Sequence, residues 1–170
     1  TVSVITGQIA LALEWLKTRK YTGSERLNVM GLSLGSLFTP VTLQLAALRG
    51  TTPASTVFAY SSLNLNQTMQ KILSKIIQEP TLTMVYQLMS DITNTYDPKA
   101  FLPGLRGPFL AIYGTNDALI PKADSLEQYS LLANQKSIVW MNGPHISNDQ
   151  PELIKKMAQK IFDFLSHSNL

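Results

Sequence analysis

The run Gly31-Leu32-Ser33-Leu34-Gly35 places a serine between two glycines, directly after a short apolar segment. This G-x-S-x-G pattern is typical of a sharp strand-to-helix turn, which strains the serine backbone and holds its hydroxyl clear of the sheet. Side chains two residues before and after the serine would collide there, so we expect glycine to be required at both positions. The following helix would aim its free N–H groups at the site, which makes the Leu34 N–H a candidate oxyanion donor.

A serine hydroxyl is a weak nucleophile and needs a base, usually a histidine that a carboxylate orients. Of the two histidines, His145 ends the segment Asn142-Gly143-Pro144-His145, which directly follows an apolar run, whereas His167 lies in a polar tail and is expected to be solvated. Asp117 follows another apolar run. Because the carboxyl ends of parallel strands meet at one sheet edge, we predict that Ser33, Asp117 and His145 converge there.

Each of these residues also has an alternative interpretation without chemistry. Ser33 could be an inert serine in a glycine-rich turn, His145 a loop histidine bonded to backbone, and Asp117 a turn or capping aspartate. Asp124 is a weaker candidate for the acid, and Asp91 is a distant one. The chain order serine, aspartate, histidine, with each residue just past a predicted strand, favours a joint catalytic role.

The elements that must position these residues alternate along the chain. Four nearly continuous apolar runs predict buried parallel strands: Leu27–Met30, Thr56–Tyr60, Phe109–Tyr113 and Ser137–Met141. Helical spacing fills the intervals, with one helix before the first strand and others following Ser33, covering about Lys122–Ala133, and starting at Pro151. Pro40 is unfavourable inside the second of these helices. The pattern predicts an α/β fold with a mostly parallel sheet flanked by helices.

The segment Asn64–Leu105 interrupts this alternation. Apolar residues recur there at helical spacing in two stripes, which are Met69, Ile72, Leu73, Ile76 and Ile77, then Leu82, Val85, Leu88, Met89 and Ile92. We therefore predict a helical insertion between two strands, and three regions: an α/β core over 1–63, the insertion over 64–107, and a second core region over 108–170.

Composition excludes several classes of protein. A chain of 170 residues with 45% hydrophobic and 15% charged residues is enough for one globular domain. No apolar run approaches the roughly 18 residues of a membrane span. The absence of cysteine excludes disulfides and thiolate metal sites, and two histidines are too few for a multi-imidazole zinc site. Neither a G-x-G-x-x-G nor a P-loop pattern occurs, so we expect no cofactor. The net charge of +3 is scattered, so we expect no nucleic-acid partner.

Together these segments resemble the α/β-hydrolase family. GLSLG is similar to that family's nucleophile elbow, YGTNDALIP to its acid loop, and NGPH to its histidine loop. The resemblance implies that Ser33 is the nucleophile, Asp117 the orienting acid and His145 the general base. It also implies that the insertion is a helical cap that shapes the substrate pocket. We expect Leu32, Met69 and Ile72 to contact a small acyl substrate, with a lean toward a hydrophobic one.

The chain also departs from the family pattern. Ser36 stands where many relatives have a further glycine. About four strands precede the elbow in the family, whereas one helix precedes it here. We therefore expect these residues to be the C-terminal portion of an α/β-hydrolase. The missing part, which would supply the second oxyanion donor, is then a candidate partner, and without it the chain should be poorly soluble or feebly active.

Three hypotheses for the function follow. The first is a serine hydrolase that cleaves an ester, thioester or amide through an acyl-enzyme on Ser33. The second is an α/β-hydrolase fold that binds without turnover. The third, which we favour least, uses the amine and hydroxyl of Thr1 as base and nucleophile.

Overall fold

The computed structural model describes residues 2–19, 27–74, 77–78, 80–133 and 135–168. Within these residues, four strands form a single sheet: β1 (Asn28–Leu32), β2 (Ser55–Ala59), β3 (Phe109–Gly114) and β4 (Lys136–Met141). The strands lie in chain order, and every neighbouring pair is parallel. The predicted mostly parallel sheet is therefore confirmed, and the carboxyl ends of all four strands share one edge.

Helices occupy the intervals between the strands. They are α1 (Val2–Lys17), α2 (Leu34–Leu48), α3 (Leu65–Leu73), α4 (Thr81–Thr95), α5 (Pro98–Phe101), α6 (Lys122–Leu131) and α7 (Pro151–Ser168). A 3₁₀ turn over Leu102–Gly104 follows α5. α2 continues through Pro40, which lies buried inside it. α2, α6 and α7 begin where the sequence predicted, whereas β1 extends two residues further than predicted and takes in Gly31 and Leu32.

Side chains alternate between two apolar clusters on the opposite faces of the sheet. In β2, Val57 and Ala59 belong to one cluster while Phe58 belongs to the other. In β3, Phe109 and Leu110 divide in the same way. The cluster around Phe58 includes residues of α1 and α2, and the cluster around Val57 includes residues of α7. Burial on both faces explains why these strands are almost uniformly apolar in sequence.

The segment between β2 and β3 holds α3, α4, α5 and the 3₁₀ turn. Asp97 caps α5 by accepting a hydrogen bond from the Lys99 N–H at 2.9 Å. Of the two predicted apolar stripes, the side chains of Met69, Ile72, Leu88, Met89 and Ile92 lie outside the described part, as does residue 76. The division into regions 1–63, 64–107 and 108–170 stays a prediction.

β1, which contains the first two residues of the G-x-S-x-G motif, is an edge strand of the sheet. It pairs with β2 on one side, and its Met30 and Leu32 side chains are 49% and 38% exposed. α1 also has exposed apolar side chains, among them Trp15. Within the described residues, no helix has both the length and the apolar character that a membrane crossing needs.

Candidate active site

Ser33 occupies the turn between β1 and α2 in a strained backbone conformation. Its φ is 49° and its ψ is −119°, a combination that non-glycine residues rarely adopt and that costs about 1–3 kcal/mol. Two hydrogen bonds hold it there: the Ser33 N–H donates to the Ala59 carbonyl at 2.8 Å, and the Ser36 N–H donates to the Ser33 carbonyl at 3.0 Å. The turn therefore fixes the direction in which the Ser33 side chain leaves the sheet.

Of the two glycines flanking Ser33, the structure explains only Gly31. A Cβ at Gly31 would lie 2.4 Å from Thr39 Oγ1 and 2.6 Å from Ser36 Cα, far inside contact distance. At Gly35, nothing in the described residues lies within 4 Å of an added Cβ. The expectation that sterics require glycine at both positions is therefore wrong for Gly35, because the first turn of α2 points that position away from β1.

The three predicted residues meet at the carboxyl edge of the sheet. Ser33 Oγ lies 2.8 Å from His145 Nε2, and His145 Nδ1 lies 2.8 Å from Asp117 Oδ2. Their order along this chain of hydrogen bonds is serine, histidine, aspartate. The Asp117 and His145 side chains are 3% and 16% exposed, so the contact is largely shielded from water.

The loop after β3 holds the Asp117 carboxylate in place. Its Oδ1 accepts the N–H groups of Leu119 and Ile120 at 2.8 and 2.9 Å, which leaves Oδ2 for His145. Burial alone raises the pKa of Asp117, but the hydrogen bonds from His145 and these two N–H groups outweigh burial and lower it. An ionised Asp117 keeps the His145 proton on Nδ1, so Nε2 presents its lone pair to Ser33.

The Leu34 N–H lies at the start of α2, next to Ser33. No acceptor among the described residues pairs with it, as is usual for the first N–H groups of a helix. The position favours a developing negative charge, because the helix dipole adds to the free N–H. The role of Leu34 as an oxyanion donor stays a prediction.

Tyr60 is a buried neighbour of the site that sequence reasoning did not select. It directly follows β2 at a φ of 51°, and its ring meets the His145 ring edge-on at 5.5 Å. Its hydroxyl has no hydrogen-bond partner among the described residues. Burial, assisted by the negative charge of Asp117, raises the pKa of Tyr60, so the phenol stays protonated at neutral pH.

A cavity of about 230 Å³ opens beside Ser33 and His145. Its apolar lining consists of Leu34, Leu37, Leu119 and Ile120, its polar lining of Ser62 and Thr68, and Tyr60 completes the wall. A second hollow of about 290 Å³ lies between β4 and α7, and neither Ser33, His145, Asp117 nor Tyr60 lines it. The first cavity is the one that chemistry at Ser33 can use.

The other predicted site residues lie elsewhere or cannot be located. Leu32 ends β1 and does not line the cavity, while the side chains of Met69, Ile72 and Asp91 lie outside the described part. Asp124 accepts a hydrogen bond from Ser62 rather than from His145. The exposed His167 contacts the Asp163 carbonyl in α7.

Several lining residues had a recognisable signal in the sequence. Leu119 and Ile120 lie in the loop around Asp117. Tyr60 ends the predicted strand Thr56–Tyr60, and Ser62 lies just past it. The same edge rule that selected Ser33 selects them too. Thr68 had no comparable signal, because its position depends on how α3 packs. Within the described residues, no group of three or more potential ligands is placed to hold a metal ion.

Comparisons with solved structures agree on the fold. An esterase from Pyrococcus furiosus superposes with a TM-score of 0.67 at 16% identity, over 94% of this chain and 60% of the esterase. An α/β-hydrolase from a lagoon-sediment metagenome gives 0.64 at 17% identity, over 97% of this chain and 71% of the other. A monoacylglycerol lipase from Paleococcus ferrophilus gives 0.66 at 18% identity, over 99% and 76%.

No family model and no curated protein matches the sequence. The chain spans 60% of the length of the Pyrococcus esterase that it matches. The predicted α/β-hydrolase fold is confirmed by these superpositions, at identities that inform on the fold alone.

Proposed function

We propose that this chain, whose fold is that of the α/β-hydrolases, carries the catalytic residues of a serine hydrolase that cleaves an ester, thioester or amide. The single observation that supports this most is the continuous hydrogen-bonded order of Ser33, His145 and Asp117, at 2.8 Å each. Esterase and lipase activity among proteins of similar structure agrees with it.

The reaction follows from the protonation states. His145 Nε2 removes the Ser33 proton as Oγ attacks the substrate carbonyl carbon, and Asp117 stabilises the imidazolium that forms. The carbonyl oxygen becomes an oxyanion that accepts a hydrogen bond from the Leu34 N–H. As the tetrahedral intermediate collapses, His145 donates its proton to the leaving group and an acyl-enzyme remains on Ser33. A water molecule then attacks the acyl carbon as His145 takes its proton; the bond to Ser33 Oγ breaks, the acid leaves and His145 returns the proton to Ser33.

The cavity limits the size of the group that it can hold. Its volume of about 230 Å³ lies below the roughly 300–1,000 Å³ of typical ligand pockets, so it accommodates a small group. Four of its lining side chains are leucine or isoleucine. We therefore propose a small, mainly apolar acyl or alkyl group as the part of the substrate that enters it.

We also propose that a further polypeptide segment packs beside β1. β1 has an unpaired edge among the described residues, and its Met30 and Leu32 side chains leave apolar surface exposed. Such a segment could bring a second oxyanion donor, the lack of which costs about 10²–10³ in turnover. Esterase turnover by the isolated, monomeric 170-residue chain at the rate of an intact hydrolase would refute this proposal.

Covalent labelling tests the catalytic proposal directly. A fluorophosphonate probe should attach to Ser33, and both Ser33→Ala and His145→Ala should abolish labelling. Two matched controls, Ser130→Ala and His167→Ala, change exposed residues that do not line the cavity and should label like the wild type. Labelling that persists in Ser33→Ala, or its absence from a folded wild-type protein with any added segment in place, would favour a binding protein instead.

A further inference from the structure

We infer that the cavity selects a substrate whose entering group carries a hydrogen-bond donor, a hydroxyl or an N–H, which Thr68 accepts. This inference rests on the proposed function and specifies its substrate class. It follows from the direction of the hydrogen bonds that reach Ser62 and Thr68, two polar side chains of the cavity wall besides Ser33, His145 and Tyr60, whose hydroxyl is buried.

Ser62 is the centre of this hydrogen-bond network. Its hydroxyl donates to Asp124 Oδ2 at 3.3 Å and accepts the Asn64 N–H at 3.0 Å and the Thr68 hydroxyl at 2.9 Å. A hydroxyl has one proton and two lone pairs, so all the hydrogen-bonding capacity of Ser62 is used. Asp124 determines the direction, because a carboxylate oxygen accepts and the backbone N–H of Asn64 can only donate.

The Thr68 hydroxyl can therefore only accept a further hydrogen bond. Its single proton is committed to Ser62, which leaves Thr68 Oγ1 with lone pairs and no proton for the cavity. A ligand donor can pair with these lone pairs, whereas an ether, carbonyl or fluorine cannot. The side chains of the four apolar lining residues offer no acceptor that competes with Thr68 for this donor.

The backbone around Ser62 is held from the other side by a buried network. Gln128 Nε2 donates to Ser61 Oγ at 2.6 Å, and Gln128 Oε1 accepts the Tyr113 hydroxyl at 2.6 Å. Ser61, Gln128 and Tyr113 are almost completely buried. Ser62 is thus fixed in place. Because its partners are fixed, the Thr68 hydroxyl keeps one orientation and does not rotate freely.

Paired esters test the inference. One member carries a hydroxyl and the other a fluorine in its place, which has similar size but no proton. The hydroxyl is placed at successive carbons of the acyl part in one series and of the alcohol part in a second series. At one position the hydroxy ester should exceed the fluoro ester in kcat/KM by about five-fold or more, the worth of one neutral hydrogen bond. The series that shows the preference identifies which part of the substrate enters the cavity.

Three variants connect the preference to this network. In Thr68→Val, which keeps the shape but removes the oxygen, the kcat/KM ratio of hydroxy to fluoro ester should fall to about one. In Thr68→Ser the ratio should be retained. Asp124→Ala should also lower the ratio, although Asp124 does not line the cavity, because Ser62 can then donate to Thr68 and free the Thr68 proton. Retention of the full preference in Thr68→Val or Asp124→Ala would overturn the inference.

The fluorophosphonate probe separates the two proposals. If Ser33 is labelled and the esters are hydrolysed, but the hydroxyl and fluorine members react equally in both series, the inference is wrong while the proposed function stands. If neither the probe nor any ester reacts, the proposed function fails and the inference fails with it.

Discussion

Replacing Gly31 by alanine should damage both the fold and the site. The new Cβ would lie 2.6 Å from Ser36 Cα, so β1 and the first turn of α2 must separate by about 0.8 Å to reach the 3.4 Å of an ordinary contact. Overpacking of this kind costs about 1–3 kcal/mol, and we expect the upper end because one clash is with backbone. At the size of this domain, 3 kcal/mol corresponds to a fall in Tm of about 6–12 °C.

The displacement should also reach the Ser33 hydroxyl. Ser33 lies between Gly31 and Ser36, and a shift of nearly 1 Å lengthens the 2.8 Å contact with His145 beyond hydrogen-bond range. Misplacement by about 1 Å can lower a rate about 10²-fold, and we expect the fluorophosphonate labelling rate of Gly31→Ala to fall by about this factor. Thermal unfolding and labelling at a temperature where the variant is folded measure the two effects separately.

Gly35→Ala is the matched control, since it changes the other glycine of the same motif. The site for its Cβ is open and its φ is not positive, so we expect no loss of stability and wild-type labelling. Alanine also forms helix better than glycine by up to about 1 kcal/mol. The reasoning would be refuted if Gly31→Ala matched the wild type in both measurements, or if Gly35→Ala were damaged as severely as Gly31→Ala.

Two further predictions concern the groups around His145. The pKa of Asp117 is lower in the folded protein than its ordinary value of 3.8, so its charge stabilises the fold above pH 3.8, and this contribution is lost as the pH falls through the lowered pKa. The free energy of unfolding should therefore fall less steeply with decreasing pH in Asp117→Asn than in the wild type, and equal slopes would contradict this. The variant should also react with the fluorophosphonate about 10⁴-fold more slowly, because the amide favours the wrong His145 tautomer. Tyr60→Phe removes a hydroxyl that has no partner among the described residues, so we expect unchanged or higher stability and unchanged labelling. Tyr60→Leu removes the ring packed against His145 and should slow labelling. A large loss of stability or labelling rate in Tyr60→Phe would contradict this assignment.

Much of the fold could be predicted because burial on both faces makes a parallel strand uniformly apolar, and this is visible in the order of residues. The strands, the alternating helices and the α/β class were recognised on this basis. Strand ends were less certain: β1 runs on through Gly31 and Leu32, since pairing with β2 continues into the motif. The two glycines of the motif look equivalent in sequence, and the positions of Ser36 and Thr39 against Gly31 distinguish them.

The chain by itself determined that a serine, an aspartate and a histidine each follow a strand, and parallel strands bring such positions to one edge. The order of residues in the sequence is enough to predict this convergence. The tertiary structure alone decided the distances, the direction of the Ser62 and Thr68 hydroxyls, and the pairing of Asp124 with Ser62 instead of His145. These depend on groups that are distant in sequence and meet only after packing, because the direction of a hydrogen bond is set by every partner that surrounds it.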